Sequence, residues 1–194
     1  NAAQQGNVLA QLDLAVMYRA GEGVPHDAEN AFYWFSKAAE QGNALGQFNV
    51  ALMLSVGEGT PLDYVKSAQW MRKAALQGVI LAQGQLGYDL FTGRGVGRDE
   101  AQSLYWLRRA ASQGEVTSLA NLGELYEKGK GVPRDLVIAF TYYCAAAAGG
   151  NEPAIKARVR LARELNPAQL SEADLLLLVW TSGMLPPERS VTWY

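Results

Sequence analysis

The chain's one histidine, His26, lies in the stretch Gly21-Glu22-Gly23-Val24-Pro25-His26-Asp27, where two glycines, an imidazole and a carboxylate stand close enough to cradle a phosphate or move a proton. A phosphate loop points backbone amides at its anion from a junction that follows a strand and opens a helix. The same pattern returns as GEGTPLD at 57–63, GRGVGRD at 93–99 and GKGVPRD at 129–135, a constant step of 36 residues. A single reaction centre needs one such loop. The column of His26 continues as Leu62, Arg98 and Arg134, which share no chemistry, so His26 is expected to be a solvent-facing loop residue.

Other reactive residues fare no better. Cys144 stands in an alanine-rich segment where the equivalent positions are Ser36, Arg72 and Arg108, and it reads as a packing thiol rather than a nucleophile. There is no Ser-x-x-Lys, Ser-Asp-Asn, Lys-Thr-Gly or Gly-x-Ser-x-Gly element, and one histidine cannot make a HExxH zinc site. Carboxylates are scattered at repeat positions rather than paired for general acid and base work. The chain is therefore not expected to be an enzyme, and no catalytic residue, metal ligand or cofactor is assigned.

Bulk properties narrow the partners. With 194 residues and 49% apolar content the chain has enough material for a core, and a net charge of −2 lacks the basic balance of a nucleic-acid binder. No stretch approaches the roughly 18 consecutive apolar residues of a membrane span. A lone cysteine makes no internal disulfide and so does not distinguish compartments. The chain begins at Asn1 rather than methionine, so a signal peptide or an upstream region is expected to have been removed.

The step of 36 runs through more than the loops. Trp34, Trp70, Trp106 and Tyr142 align, as do Ala38-Ala39, Ala74-Ala75, Ala110-Ala111 and Ala146-Ala147, then Gly42, Gly78, Gly114 and Gly150. Upstream of each loop, Leu14, Val50, Leu86 and Leu122 precede Tyr18, Leu54, Leu90 and Tyr126 by four residues, which is the spacing of one helix face. Each unit thus predicts two antiparallel helices, A over about 8–20 and B over about 27–41 in the first. The first loop glycine suits the left-handed cap of helix A, and the closing aspartate suits the N-cap of helix B. Asp99 with Gln102 has the spacing of a capping box. Because a single helix pair cannot bury its apolar face, neighbouring pairs must stack, with alanines admitting close approach and aromatics filling space. The expected organisation is one domain: the end of a preceding helix at 1–7, repeats at 8–43, 44–79, 80–115 and 116–151, capping helices at 152–184 and an irregular tail at 185–194. Within the cap, one helix is expected over 152–165, a break at Asn166-Pro167, and a second helix opening at Ser171-Glu172-Ala173-Asp174 and running to about Trp180.

In the fourth unit, Ser118, Leu122-Gly123, Tyr126, Gly129, Gly131-Val132, Asp135, Ala139, Tyr142, Ala146-Ala147 and Gly150 together make a pattern that resembles the Sel-one-like repeat, a relative of the tetratricopeptide repeat. The cysteine framework of that family's cysteine-rich members is absent here. The resemblance implies an all-α fold, a right-handed superhelix or solenoid of helix pairs whose A helices line the concave face. It also implies an interaction scaffold in a bacterial envelope or signalling assembly, without chemistry of its own.

On that implied face, columns not consumed by packing become candidates for binding a protein or peptide. One holds Asp13, Asn49, Gln85 and Asn121, a polar ladder that either bonds a partner's backbone or ties neighbouring repeats together. Another holds Val16, Leu52, Tyr88 and Glu124, of which Leu52 and Tyr88 are expected to fill gaps between a partner's side chains. A secondary basic patch, Lys156, Arg160 and Arg163, recurs at i, i+4 and i+7 on the first cap helix, either as a solvated face or as a seat for an acidic partner. The alternative ligand is a cell-wall glycopeptide or similar small envelope molecule in the same concavity. The expected compartment is periplasmic or otherwise extracytoplasmic, with cytoplasmic as the alternative, and nothing in the sequence specifies an oligomeric state.

Overall fold

The computed structural model describes residues 2–180, which form ten α-helices and no strand. They fall into two compact units that divide between Asp99 and Glu100. In the first, α1 (Val8–Ala20), α2 (Ala28–Glu40), α3 (Ala44–Val56), α4 (Tyr64–Leu76) and α5 (Ile80–Thr92) each pack on the next. The second contains α6 (Glu100–Ala111), α7 (Val116–Lys128), α8 (Leu136–Ala148), α9 (Glu152–Leu161) and α10 (Pro167–Trp180), with α8 touching α7, α9 and α10. The odd-numbered helices from α1 to α7 are the A helices read from the sequence, and α2, α4, α6 and α8 are the B helices.

The loops behave alike in all four copies. Gly21, Gly57, Gly93 and Gly129 adopt left-handed φ values of 73°, 73°, 79° and 66°, and each amide donates to a carbonyl of the preceding helical turn. The loop closes when the aspartate amide reaches back to helix A, with Asp27, Asp63, Asp99 and Asp135 donating to the carbonyls of Tyr18, Leu54, Leu90 and Tyr126. The carboxylates of Asp27, Asp63 and Asp135 then accept from amides in the first turn of helix B. The second glycine has a separate reason. A Cβ added to Gly59 would stand 2.1 Å from the Ala28 carbonyl oxygen, and one on Gly95 would stand 2.0 Å from that of Tyr64. Each of these loops is thus seated on the first residue of the preceding B helix, and the G-x-G spacing serves stacking, with the first glycine turning the chain and the second admitting a neighbour's backbone.

The core of the first unit gathers Ala15, Ala31, Phe35, Ala39, Val50, Met53 and Leu54, with Trp34 and Trp70 packed against its margin. The paired alanines are buried, Ala147 alone being half-buried. The aromatic column divides: Trp106 and Tyr142 are buried, whereas Trp34 and Trp70 are half-buried, and the Lys73 ammonium lies 4.0 Å over the Trp70 ring. Tyr142 stacks on Tyr126 and meets Trp180 edge-on, which is how α10 docks on α8.

A ladder of buried amides also ties the first unit together. Gln11, Gln47 and Gln83 turn inward, and their Nε2 atoms donate to the carbonyls of Ala3, Ala39 and Ala75 at 3.1, 3.4 and 3.2 Å. Gln41 and Gln77 cap the ladder by donating to the side-chain oxygens of Gln11 and Gln47, both at 2.8 Å. Ala2–Asn7 participates because it repeats the turn that ends α2: Gly6 and Asn7 donate to Ala3 and Ala2 as Gly42 and Asn43 donate to Ala39 and Ala38.

The cap departs from the sequence expectation. Helix α9 ends at Leu161 rather than 165, because the Leu161 carbonyl takes the amides of both Glu164 and Leu165 in a tightened turn before Pro167, whose ring disfavours helix at the residue before it. Helix α10 starts at Pro167 rather than Ser171. Asn166 and Gln169 form a reciprocal box, the Asn166 side chain accepting from the Gln169 amide and the Gln169 side chain from the Asn166 amide, both at 3.0 Å. Asparagine at the N-cap with proline at the first helical position opens a helix as readily as it stops one. The expected end of the cap at 184 and the tail at 185–194 lie outside the described residues.

Candidate functional site

The A helices of the first unit leave one face exposed. Positions 9, 13 and 16 of α1 lie on one helix face, and α3 and α5 present 45, 49, 52 and 81, 85, 88 in the same register. Leu9, Leu45 and Leu81 are 69%, 55% and 57% exposed, although each begins the stripe in its helix. Beyond them, Val16 and Tyr88 are exposed and Leu52 half-buried. The sequence alone does not single out this leucine column, because an apolar residue type does not tell an outward helix position from an inward one. Only its outward register separates it from the core.

Between these apolar rows lies the polar ladder, and the structure divides its members. Asp13 is exposed. Asn49 bridges α1 and α3: its Nδ2 donates to the Leu45 carbonyl at 2.8 Å and its Oδ1 accepts from Arg19 at 3.3 Å. Arg19 also forms a two-pronged pair with Glu58, at 2.9 and 2.8 Å. The Gln85 amide donates to Asp89 Oδ1 at 2.9 Å. Two of the three rungs in this unit therefore bond within the protein, Asn49 across to α1 and Gln85 along its own helix.

In the second unit the equivalent stripe is Thr117, Asn121 and Glu124, and it is polar throughout. Asn121 and Glu124 are half-buried, and Glu124 pairs with Lys128 one turn along. The basic patch does not form a free cationic face. Arg160 Nη2 binds Glu127 at 2.7 Å while Tyr143 Oη donates to the same carboxylate at 2.9 Å, so Arg160 joins α9 to α7 and α8. That guanidinium is held more firmly protonated by Glu127, and burial beside Glu127 pushes the Tyr143 hydroxyl well above its usual range. Lys156 is exposed on α9, and Arg163 lies past the helix end, so the i, i+4, i+7 stripe breaks after Arg160.

The residues screened for chemistry occupy ordinary places. His26 is exposed in its loop. Cys144 lines an open cleft of about 940 Å³ with Phe140, Val159, Leu177 and Trp180, and burial pushes its thiol up to about 11, which keeps it protonated at neutral pH. Among the described residues no cluster of His, Cys, Asp or Glu is arranged to hold a metal, and no helix is long and apolar enough to cross a membrane.

A family model described as the Sel1 repeat matches four times, at residues 8–43, 44–79, 80–115 and 116–151. The chain belongs to the Sel1 repeat family. Sel1-repeat proteins act as protein-interaction scaffolds. Among solved structures, the chain is similar to a Sel1 repeat protein from Oxalobacter formigenes, at 34% identity and a TM-score of 0.75 over 92% of this chain and 72% of that one. It is also similar to c5321, a protective antigen of uropathogenic Escherichia coli with the same fold, at 39% identity and a TM-score of 0.74 over 79% of this chain. The match spans 33% of the length of c5321. Helicobacter pylori cysteine rich protein B, at 24% identity and a TM-score of 0.52, shares the fold. No curated protein sequence matches the chain.

Proposed function

We propose that the chain is a protein-interaction scaffold whose A-helix face in the first three repeats receives an extended peptide segment of a partner protein. The observation that carries this reading is the exposed leucine column Leu9, Leu45 and Leu81, continued by Val16, Leu52 and Tyr88. Single exposed leucines need no explanation, but three in one column on consecutive repeats make a patch of the kind that marks an interaction site. Covering a fully exposed leucine contributes about 1.5–3 kcal/mol. Three leucines exposed by a little over half therefore supply roughly 3–5 kcal/mol, close to the low end of the association cost of about 4–15 kcal/mol. A row of leucines beside a polar row in which Asp13 stays exposed favours a ligand whose apolar side chains recur along an otherwise hydrogen-bonding backbone. An extended peptide has that form.

The proposed setting is a bacterial envelope assembly, supported by the likeness to an Escherichia coli protein described as a protective antigen. Selection from a displayed peptide library on the wild-type chain and on a Leu45→Glu, Leu81→Glu variant tests the binding reading. Leucine-bearing peptides are expected to be enriched on the wild type and lost on the variant. Enrichment that survives both substitutions, or saturable binding of muropeptides on this face with no peptide enrichment, overturns it.

A further inference from the structure

The third repeat breaks the rules of its own columns at one spot. Position 89 is occupied in the other copies by Met17, Met53 and Leu125, the last two fully buried, yet here it is Asp89, 4% exposed. Placing a carboxylate at a core position incurs a desolvation penalty unless it is paired, and burial accordingly pushes the Asp89 pKa upward. Three donors converge on its Oδ1: Gln85 Nε2 at 2.9 Å, Arg94 Nε at 3.0 Å and Arg94 Nη2 at 2.9 Å. Arg94 stands where the other loops carry Glu22, Glu58 and Lys130.

Two aromatic rings flank that guanidinium. Tyr64, at the start of α4, has its ring centroid 5.3 Å away, and Tyr88, in the exposed stripe of α5, has its own at 5.6 Å. The equivalents of Tyr64 are Ala28, Glu100 and Leu136, and those of Tyr88 are Val16, Leu52 and Glu124. The one departure from an apolar column, Asp89, therefore meets three residues from columns that vary between copies. Stability alone gives no reason for them, because a methionine fills the equivalent position of the second repeat, and a buried ion pair is often no better than a well-packed apolar side chain. What the arrangement does achieve is a guanidinium fixed in direction. Asp89 occupies the Nε and Nη2 edge, and among the described residues no acceptor meets Nη1. The Arg94 side chain is 37% exposed. The remaining edge, one N–H of Nη1 beside the second N–H of Nη2, is a planar fork that matches the two oxygens of a carboxylate.

We propose that Arg94, oriented by Asp89 and flanked by Tyr64 and Tyr88, binds a carboxylate of the peptide lying on the leucine stripe. The proposal rests on the peptide-binding reading above and adds the anchor that the leucines alone do not provide. A peptide carboxylate has two sources, an acidic side chain and the chain's C-terminus, and the same fork serves both.

Three synthetic probes separate the cases on the full chain: acetyl-Leu-Ala-Leu-Ala-Glu-amide, acetyl-Leu-Ala-Leu-Ala-Leu with a free C-terminal carboxylate, and the neutral control acetyl-Leu-Ala-Leu-Ala-Gln-amide. NMR titration follows the Arg94 Nε–Hε signal and the methyls of Leu9, Leu45 and Leu81. At least one acidic probe is expected to bind about tenfold or more tighter than the control and to shift the Arg94 signal, and the tighter of the two identifies the source. An Asp89→Met, Arg94→Gln variant, which gives position 89 the residue of the second repeat, is expected to melt as a folded protein and to lose the preference for acid. Methyl shifts with no acid preference, or a preference that survives in the variant, overturn the role of Arg94 and leave the stripe standing. Methyls unmoved by all three probes overturn both.

Discussion

Replacing Gly59 by alanine tests how the repeats are seated on one another, and Gly23 supplies an internal control. The two glycines occupy the same place in successive loops and have similar left-handed backbones, with φ of +64° and +73°. A Cβ on Gly23 meets only the flexible end of Met17, at 3.1 Å, whereas on Gly59 it meets the backbone of α2, at 2.1 Å from the Ala28 oxygen and 2.3 Å from its carbon. Both variants lose about 1–2 kcal/mol for holding a non-glycine residue left-handed. Only Gly59→Ala must also force loop and helix apart, and overpacking of that kind costs a further 1–3 kcal/mol, roughly. The expected losses are about 1–2 kcal/mol for Gly23→Ala and about 2–5 kcal/mol for Gly59→Ala. Urea unfolding followed by both circular dichroism and tryptophan fluorescence measures them, since agreement between the two probes is needed before one free energy describes a repeat array. Equal losses in the two variants would refute the seating contact and leave the second glycine of the motif without a structural reason.

Two further outcomes follow from the same structure. Gln47→Ala removes two hydrogen bonds, the one it donates to the Ala39 carbonyl and the one its side-chain oxygen accepts from Gln77. The Ala39 carbonyl keeps the Gly42 amide and Gln77 keeps the Gly42 carbonyl, so at about 0.5–1.5 kcal/mol for each bond lost the variant is expected to lose about 1–3 kcal/mol by the same urea assay, and a loss below about 0.5 kcal/mol, the range of ordinary surface changes, contradicts the buried ladder. Asp27 and Asp63 are each held below the usual carboxylate pKa of 3.8, chiefly by hydrogen bonds from the Asn30 and Lys66 amides. Because their folded pKa values are lowered, these two aspartates contribute stability that is present above the unfolded value and lost as pH falls through the folded one. The stability difference between the wild type and an Asp27→Asn, Asp63→Asn variant, whose caps do not titrate, is therefore expected to disappear in acid. A difference that stays constant down the same pH series would mean the carboxylate charge plays no part in capping.

The repeat made most of the fold legible. Four copies of one loop placed eight helices, and the glycine and aspartate that bound it acted as the chemistry of left-handed caps and N-caps requires. Beyond the last repeat there was no second copy to compare, and Asn166-Pro167 was read as a stop when it is also a start. The A-helix face was harder for a different reason. Gln11 and Asp13 are both polar and two residues apart, which on a helix puts them nearly on opposite sides, yet each sits in a recurring polar column. Composition does not say which column turns inward. The structure buries Gln11, Gln47 and Gln83 and leaves Asp13 in solvent. The same ambiguity hid Leu9, Leu45 and Leu81, whose residue type suggests a core and whose register denies it.

Each column of a repeat protein contains its own comparison, since the same packing position has been filled several times within one chain. Where the copies agree, as at the loop glycines, packing or turning explains the residue. Where one copy departs alone, the other copies show which residue the fold would accept, and the departure needs another cause. Methionine at position 53 and leucine at 125 show that the fold accepts an apolar side chain where Asp89 stands, and Glu58 shows that the loop accepts the opposite charge where Arg94 stands. A chance substitution of either residue alone would bury an unpaired carboxylate or leave a solvated arginine. Their joint occurrence, with tyrosines on both sides of the guanidinium, is accounted for by a fixed, outward-facing cation at the end of an apolar stripe.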